Sequence, residues 1–171
     1  MTRLSKALFL VSLTVPALLA AQGAAKQAPA AAPKAAAAPA AAGAARVIDI
    51  DATDQMKFSV TTINAKPGES LKVRLKGAGT MPKMAMAHNF VLLKATAKLD
   101  TFVADALMVG PAANYIAPAH KVDVLANTTL VGPGETAEVT FKAPTKPGTY
   151  VFLCSFAGHY AAGMKGTLIV K

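Results

Sequence analysis

Hydrophobic patterning divides the chain near residue 46. Downstream of that point, apolar and polar residues alternate in short runs. Leu71, Val73 and Leu75 interleave with Lys72, Arg74 and Lys76, the period of two expected of a strand with one buried face. Val47, Ile48, Asp49, Ile50 and Asp51 begin the pattern, and residues 58–61 continue it. Further strands are expected at 87–93, within 121–130, and at 136–141, 149–154 and 167–170. Lys66-Pro67-Gly68, Gly132-Pro133-Gly134 and Lys146-Pro147-Gly148 separate them as turns. One stretch departs from this period. Leu99, Phe102, Val103, Ala106 and Leu107 fall at helical spacing, which predicts a short amphipathic helix over 99–108, ended by Pro111. About seven or eight short strands with one helical insert point to an all-β fold, a Greek-key β-sandwich.

Upstream of residue 46 the periodicity is absent. A short basic start, with Arg3 and Lys6, precedes an apolar run over 7–21 and the small residues of Ala21-Gln22-Gly23. This is the layout of a signal peptide over 1–23, or of an N-terminal anchor if it is retained. The segment has no cysteine, which excludes a lipoprotein signal. Residues 24–45 are almost all alanine, interrupted by Pro29, Pro33 and Pro39, and read as a semi-extended linker. The folded domain is expected at 46–171. Its location is expected to be outside the cytoplasm, in the periplasm or on the outer face of the cytoplasmic membrane, with the N-terminus as a tether if uncleaved.

Composition adjusts this picture slightly. The 53% hydrophobic share overstates the core, because much of it is alanine before residue 46. Of the net charge of +9, Arg3, Lys6, Lys26 and Lys34 precede residue 46 with no acidic residue beside them, so +5 belongs to the rest. That balance suits an acidic partner surface. The lysines sit on alternating strand positions, as on a solvated face, and no nucleic-acid footprint is present.

The candidate chemistry is concentrated in residues 154–166. Cys154, His159 and Met164 form a Cys-x4-His-x4-Met loop that contains the single cysteine of the chain. A lone cysteine excludes an internal disulfide, and its ordinary fate is that of a small buried hydrophobe. Beside a histidine and a methionine at these spacings it becomes a candidate ligand. Two histidines, a cysteine and a weak axial methionine are the donor set of blue-copper electron-transfer sites. A second histidine must come from elsewhere. His88 starts a strand that a sandwich can lay beside the one ending at Cys154. His120, next to Lys121 in a loop-like stretch, reads as solvent-exposed. Met56, Met84, Met86 and Met108 read as core or rim packing.

Several motifs in this order resemble azurin: Asp54-Gln55-Met56-Lys57-Phe58, Met81-Pro82-Lys83, Met86-Ala87-His88-Asn89, Val131-Gly132-Pro133-Gly134-Glu135 and the loop 154–166. The resemblance spans 46–171 and is to azurin-like blue-copper proteins of the cupredoxin family, with the auracyanin-like branch suggested by the N-terminal tether. It implies one type 1 copper ion held by His88, Cys154, His159 and axial Met164, with a weak contribution from the Ala87 carbonyl. It also implies that Asn89 ties the two ligand segments together and that the Phe156 amide donates to the Cys154 sulfur. An apolar docking patch around His159 would comprise Met56, Met86, Phe156, Ala157, Ala161 and Ala162. Three departures stand out. Four residues, Tyr160 to Gly163, separate His159 from Met164 where azurin has three; the azurin disulfide cannot form; and Ala87 replaces a glycine.

The resulting expectation is an electron carrier, not an enzyme. It would shuttle single electrons by Cu(I)/Cu(II) cycling between redox proteins such as cytochromes or a membrane quinol-oxidising complex. A copper enzyme would need more histidine ligands than His120 can supply. A copper chaperone would favour Met- or His-rich exchange motifs, and a closed zinc site rarely uses methionine.

Overall fold

A computed structural model describes residues 44–171. The signal-peptide and linker expectations fall almost wholly outside that range. Nine strands are present among the described residues: β1 (Arg46–Thr53), β2 (Lys57–Phe58), β3 (Thr62–Ala65), β4 (Ser70–Gly77), β5 (Val91–Leu93), β6 (Val124–Asn127), β7 (Thr136–Lys142), β8 (Gly148–Leu153) and β9 (Lys165–Val170). They form two sheets, ordered β2-β1-β4-β7 and β3-β9-β8-β5-β6. The period-two pattern sets their facing. Ile48, Ile50, Leu71, Val73 and Leu75 point into the space between the sheets, while Lys72 and Arg74 meet Glu138 on the outer face at 3.0 and 2.9 Å.

The expected strand over 58–61 is instead a crossing between sheets. β2 pairs with β1 in the first sheet, and β3 pairs with β9 in the second. Between them the amide of Ser59 donates to Asp51 O at 2.9 Å, and the Asp51 amide donates to Ser59 Oγ at 2.8 Å. These bonds carry the β1–β2 pairing one residue further, after which the chain leaves for the second sheet.

The expected strand at 87–93 is shorter. Only Val91–Leu93 runs in the sheet, preceded by an isolated bridge between His88 and Val131. The Phe90 amide is diverted to Thr128 Oγ1 at 3.0 Å. β5 is buried on both faces, which explains its unbroken Val-Leu-Leu run. One face joins the core through Leu92. The other, Val91 and Leu93, packs with Phe102, Ile116 and Leu153. Phe102 belongs to α1 (Leu99–Val109), so the helical insert covers the outside of this sheet beside the β8 end. Pro111–Ala113 and Pro118–Asp123 add two 3₁₀ segments, absent from the sequence expectation. No helix among the described residues is long and apolar enough to cross a membrane.

Gly166, at the start of β9, shows how tightly the layers meet. A Cβ there would lie 2.3 Å from the Phe152 ring and 2.6 Å from Thr61 O. Only glycine lets β9 pass over Phe152 at the end of the sandwich where the loop 154–164 returns.

Candidate metal centre

Pairing of β5 with β8 sets the site. The register places Val91 opposite Leu153 and Leu92 opposite Phe152, so the residues just beyond each strand end lie side by side. Side chains alternate along β8 and beyond it. Leu153 faces α1, and Cys154 turns inward to the core. His88, Cys154 and His159 therefore converge. One ligand atom from each lies within 4.8 Å of the others, and all three residues are buried. His159 Nδ1 lies 3.4 Å from Cys154 Sγ, and the two imidazole centroids are 4.9 Å apart.

The loop folds back by a single turn. Ala162 N–H donates to Gly158 O, Gly163 N–H to Tyr160 O and Met164 N–H to His159 O. The last two bonds, with Gly163 at φ 87°, make a Schellman closure. This turn absorbs the fourth spacer residue and returns Met164 to full burial, while its carbonyl accepts from Cys154 N–H at 3.1 Å. Ala157, Ala161 and Ala162 are exposed around the turn; Met56 and Met86 are partly buried, and Phe156 is buried against His159 at 4.7 Å between ring centroids. The rim carries charge, since Lys57 Nζ donates to Ala162 O at 3.1 Å. Ala87 is buried immediately before His88.

A buried network holds the two ligand-bearing segments together. Ser155 N–H donates to Asn89 Oδ1 at 2.9 Å, and Asn89 Nδ2 donates to Ser155 Oγ at 2.9 Å and to Asn114 O at 2.9 Å. Asn114 Nδ2 donates onward to Thr128 O at 2.7 Å. Asn114 and Tyr115 both hold positive φ, 56° and 54°. Sequence reasoning missed Asn114, Ser155 and Thr128. The one signal it could have used is the tolerance of asparagine for left-handed backbone.

Electrostatics leave the site uncharged without metal. Burial pushes the Cys154 thiol up to about 12, partly countered by backbone N–H groups of Asn89 and Phe156 that bond to it. Burial, with His88 adding to it, lowers His159 to about 4, and burial also lowers His88. Two neutral imidazoles would be ready to hold copper here, and Cys154 would have to lose its proton to do so. The donor set fits copper, and one observation argues for a missing partner: both ring nitrogens of His88 are buried without a hydrogen bond.

His120 corrects the sequence reading. It is not free in solvent. Its side chain is 15% exposed, with Nε2 at 2.8 Å from Asp105 and Nδ1 at 3.4 Å from Asp123. Met84 and Met108 are likewise not packed, at 96% and 85% exposure.

Comparison with known proteins agrees with this geometry. The family model for copper binding proteins, plastocyanin/azurin family, matches residues 44–171. Azurin from Pseudomonas denitrificans is 40% identical over 127 residues, covering 72% of this chain and 97% of that protein. Auracyanin-A from Chloroflexus aurantiacus is 36% identical over 119 residues, 69% of each chain. Among solved structures, reduced auracyanin from Roseiflexus castenholzii superposes with a TM-score of 0.65 at 32% identity, covering 75% of this chain and 99% of that one. The chain belongs to the copper-binding plastocyanin/azurin family, the cupredoxins, and its cofactor is copper.

Proposed function

We propose that the protein carries single electrons between redox partners outside the cytoplasm, through a type 1 copper ion held by His88, Cys154 and His159. Met164 would hold the ion as a further, weak ligand, and the Ala87 carbonyl as a weaker one still. The observation that carries this reading is His88, whose two buried nitrogens lack any partner although Cys154 and His159 stand within ligand reach. Bound copper supplies a one-electron couple, and the protein's residues set its conditions. Cys154 would hold the ion as a thiolate, and the backbone N–H groups of Asn89 and Phe156 that bond to its sulfur would stabilise that charge. Asn89 and Ser155 lock the segments bearing His88 and Cys154 in one arrangement, so little reorganises as charge changes.

Electron exit is assigned to buried His159, with exposed Ala157, Ala161 and Ala162 on the same loop and partly buried Met56 and Met86 proposed as the rest of the docking patch. A small apolar contact rimmed by lysine suits brief docking to cytochromes or to a membrane quinol-oxidising complex. Residues 1–23 direct export or remain as an anchor, and residues 24–45 give the domain reach. The test is reversibility. Copper-loaded protein should lose its colour on adding one electron per molecule and regain it on reoxidation. A metal that cannot be cycled, or that leaves on reduction, would contradict the role.

A further inference from the structure

Three non-glycine residues among the described ones have positive φ, and two of them, Asn114 and Tyr115, are neighbours, at 56° and 54°. Asparagine tolerates left-handed backbone, whereas a bulky ring is an outlier there. A left-handed tyrosine persists only where its surroundings hold it. Here the backbone is pinned throughout. The Asn114 amide donates to Pro111 O at 2.9 Å, Tyr115 N–H to Gly110 O at 3.0 Å and Ile116 N–H to Ala113 O at 3.0 Å. Ile116 is then buried with Phe102 of α1 and Leu153 of β8.

Each member of the pair reaches a different part of the donor set. Asn89 is fully buried, and its side-chain amide has two N–H donors to satisfy. One is taken by Ser155 Oγ and the other by Asn114 O, both at 2.9 Å. That leaves Oδ1 to accept from the Ser155 amide. Asn114 O therefore fixes the orientation of the amide that joins the residue after His88 to the residue after Cys154. The Asn114 side chain braces this carbonyl by donating to Thr128 O at 2.7 Å, and Thr128 is itself bonded to the Phe90 backbone. Tyr115 acts on the remaining histidine. Its ring centroid lies 5.0 Å from that of Phe156, which lies 4.7 Å from that of His159. Phe156 also borders an apolar cavity of about 320 Å³. A ring beside open space has room to swing, and Tyr115 stands against it.

We propose that Asn114 and Tyr115 are positioning residues for the metal centre, a left-handed clip that fixes His88 and Cys154 through Asn89 and His159 through Phe156. This rests on the copper reading above. It adds that the insert between β5 and β6, and not the ligand-bearing strands alone, sets the geometry of the donor set.

The test compares Asn114→Val with Asn114→Gly, and Tyr115→Leu with Tyr115→Phe, in the full-length chain. Valine resists positive φ and glycine adopts it freely; leucine removes the ring and phenylalanine keeps it. Val73→Ala, a truncation of a buried residue in the first sheet, controls for lost stability alone. In metal-free protein followed by NMR, Asn114→Val should speed exchange of the Asn89 side-chain N–H protons about tenfold. Tyr115→Leu should broaden the His159 ring signals. Both should weaken copper about tenfold in competition with a chelator, the lower end of what loss of an outer partner costs. Asn114→Gly and Tyr115→Phe should stay near wild type, and Val73→Ala should move none of these readouts. If Asn114→Val does not fold, Tyr115→Leu tests the clip by itself. Wild-type exchange, line widths and affinity in the two disruptive variants, or the same changes in Val73→Ala, would overturn the positioning role. Metal-free signals that respond as expected in a protein whose wild type takes up no copper would instead overturn the copper reading.

Discussion

His88 and His120 occupy opposite settings on one fold. His88 is 2% exposed, and neither ring nitrogen has a partner. His120 is bonded at both, to Asp105 and Asp123, and its ring lies 5.6 Å from that of Phe102. Their ionisation follows. Burial lowers His88, whereas the bond to Asp105, then Asp123, raises His120. A buried polar group left unpaired costs about 1–3 kcal/mol. A protein that keeps His88 in that state is holding it for something from outside, whereas His120 serves the fold, tying α1 to the 3₁₀ segment Pro118–Asp123. Hydrogen-bond satisfaction, more than burial, separates ligand from strut.

Substitution at each histidine breaks this comparison most sharply. His88→Leu should lower copper affinity by more than about 100-fold, since a ligand should matter more than the outer partners whose loss costs 10–100-fold. Competition with a chelator measures it. The same change should leave the metal-free protein at least as resistant to urea as wild type, because it removes two unsatisfied nitrogens. His120→Leu should do the reverse, lowering metal-free stability with copper affinity unchanged.

The next effect in size concerns Asn89. Asn89→Ala removes the bonds to Ser155 and Asn114 that join the two segments, and copper affinity should fall about 10–100-fold. Unchanged affinity would mean that the backbone alone holds the site. Smaller again is Ala161→Asp. A charge in the proposed patch should slow electron self-exchange several-fold and leave the absorption spectrum unaltered, as stopped-flow or NMR line broadening would show.

The smallest effect is the pH response of His120. Its folded value is raised above the unfolded one of about 6.5, so protonation favours the fold. The stability it contributes is fully present below about pH 6.5 and is lost as pH climbs past the folded value. Metal-free wild type should therefore lose some thermal stability as pH rises above about 6.5, and His120→Gln should lack that component of the slope. A slope unchanged by the substitution would show that the two carboxylates do not hold His120 in this way.

Much of the site was legible because its chemistry is local. Cys154 and His159 share one loop, and their spacing, with the proposed ligand Met164 five residues further on, marks them. His88 needed a β-sandwich to bring it across, and the alternation along β4 and β8 was enough to expect one. What escaped were contacts made by tertiary structure. Asn114 meets Asn89 only because the segment after α1 adopts left-handed backbone beside it. His120 looked exposed because its partners are Asp105 on another element and Asp123 within the same short turn of 3₁₀ helix. The run 58–61 alternates like a strand, yet its role is to change sheets, and periodicity carries no information about which layer a residue joins.

The most direct measurement is the visible spectrum of the full-length protein with one equivalent of Cu(II), taken beside Cys154→Ala. If Cys154 binds copper as a thiolate between His88 and His159, the wild type turns intensely blue through sulfur-to-copper charge transfer and the variant stays colourless. A colourless wild type, or a blue band that survives in Cys154→Ala, would contradict the account.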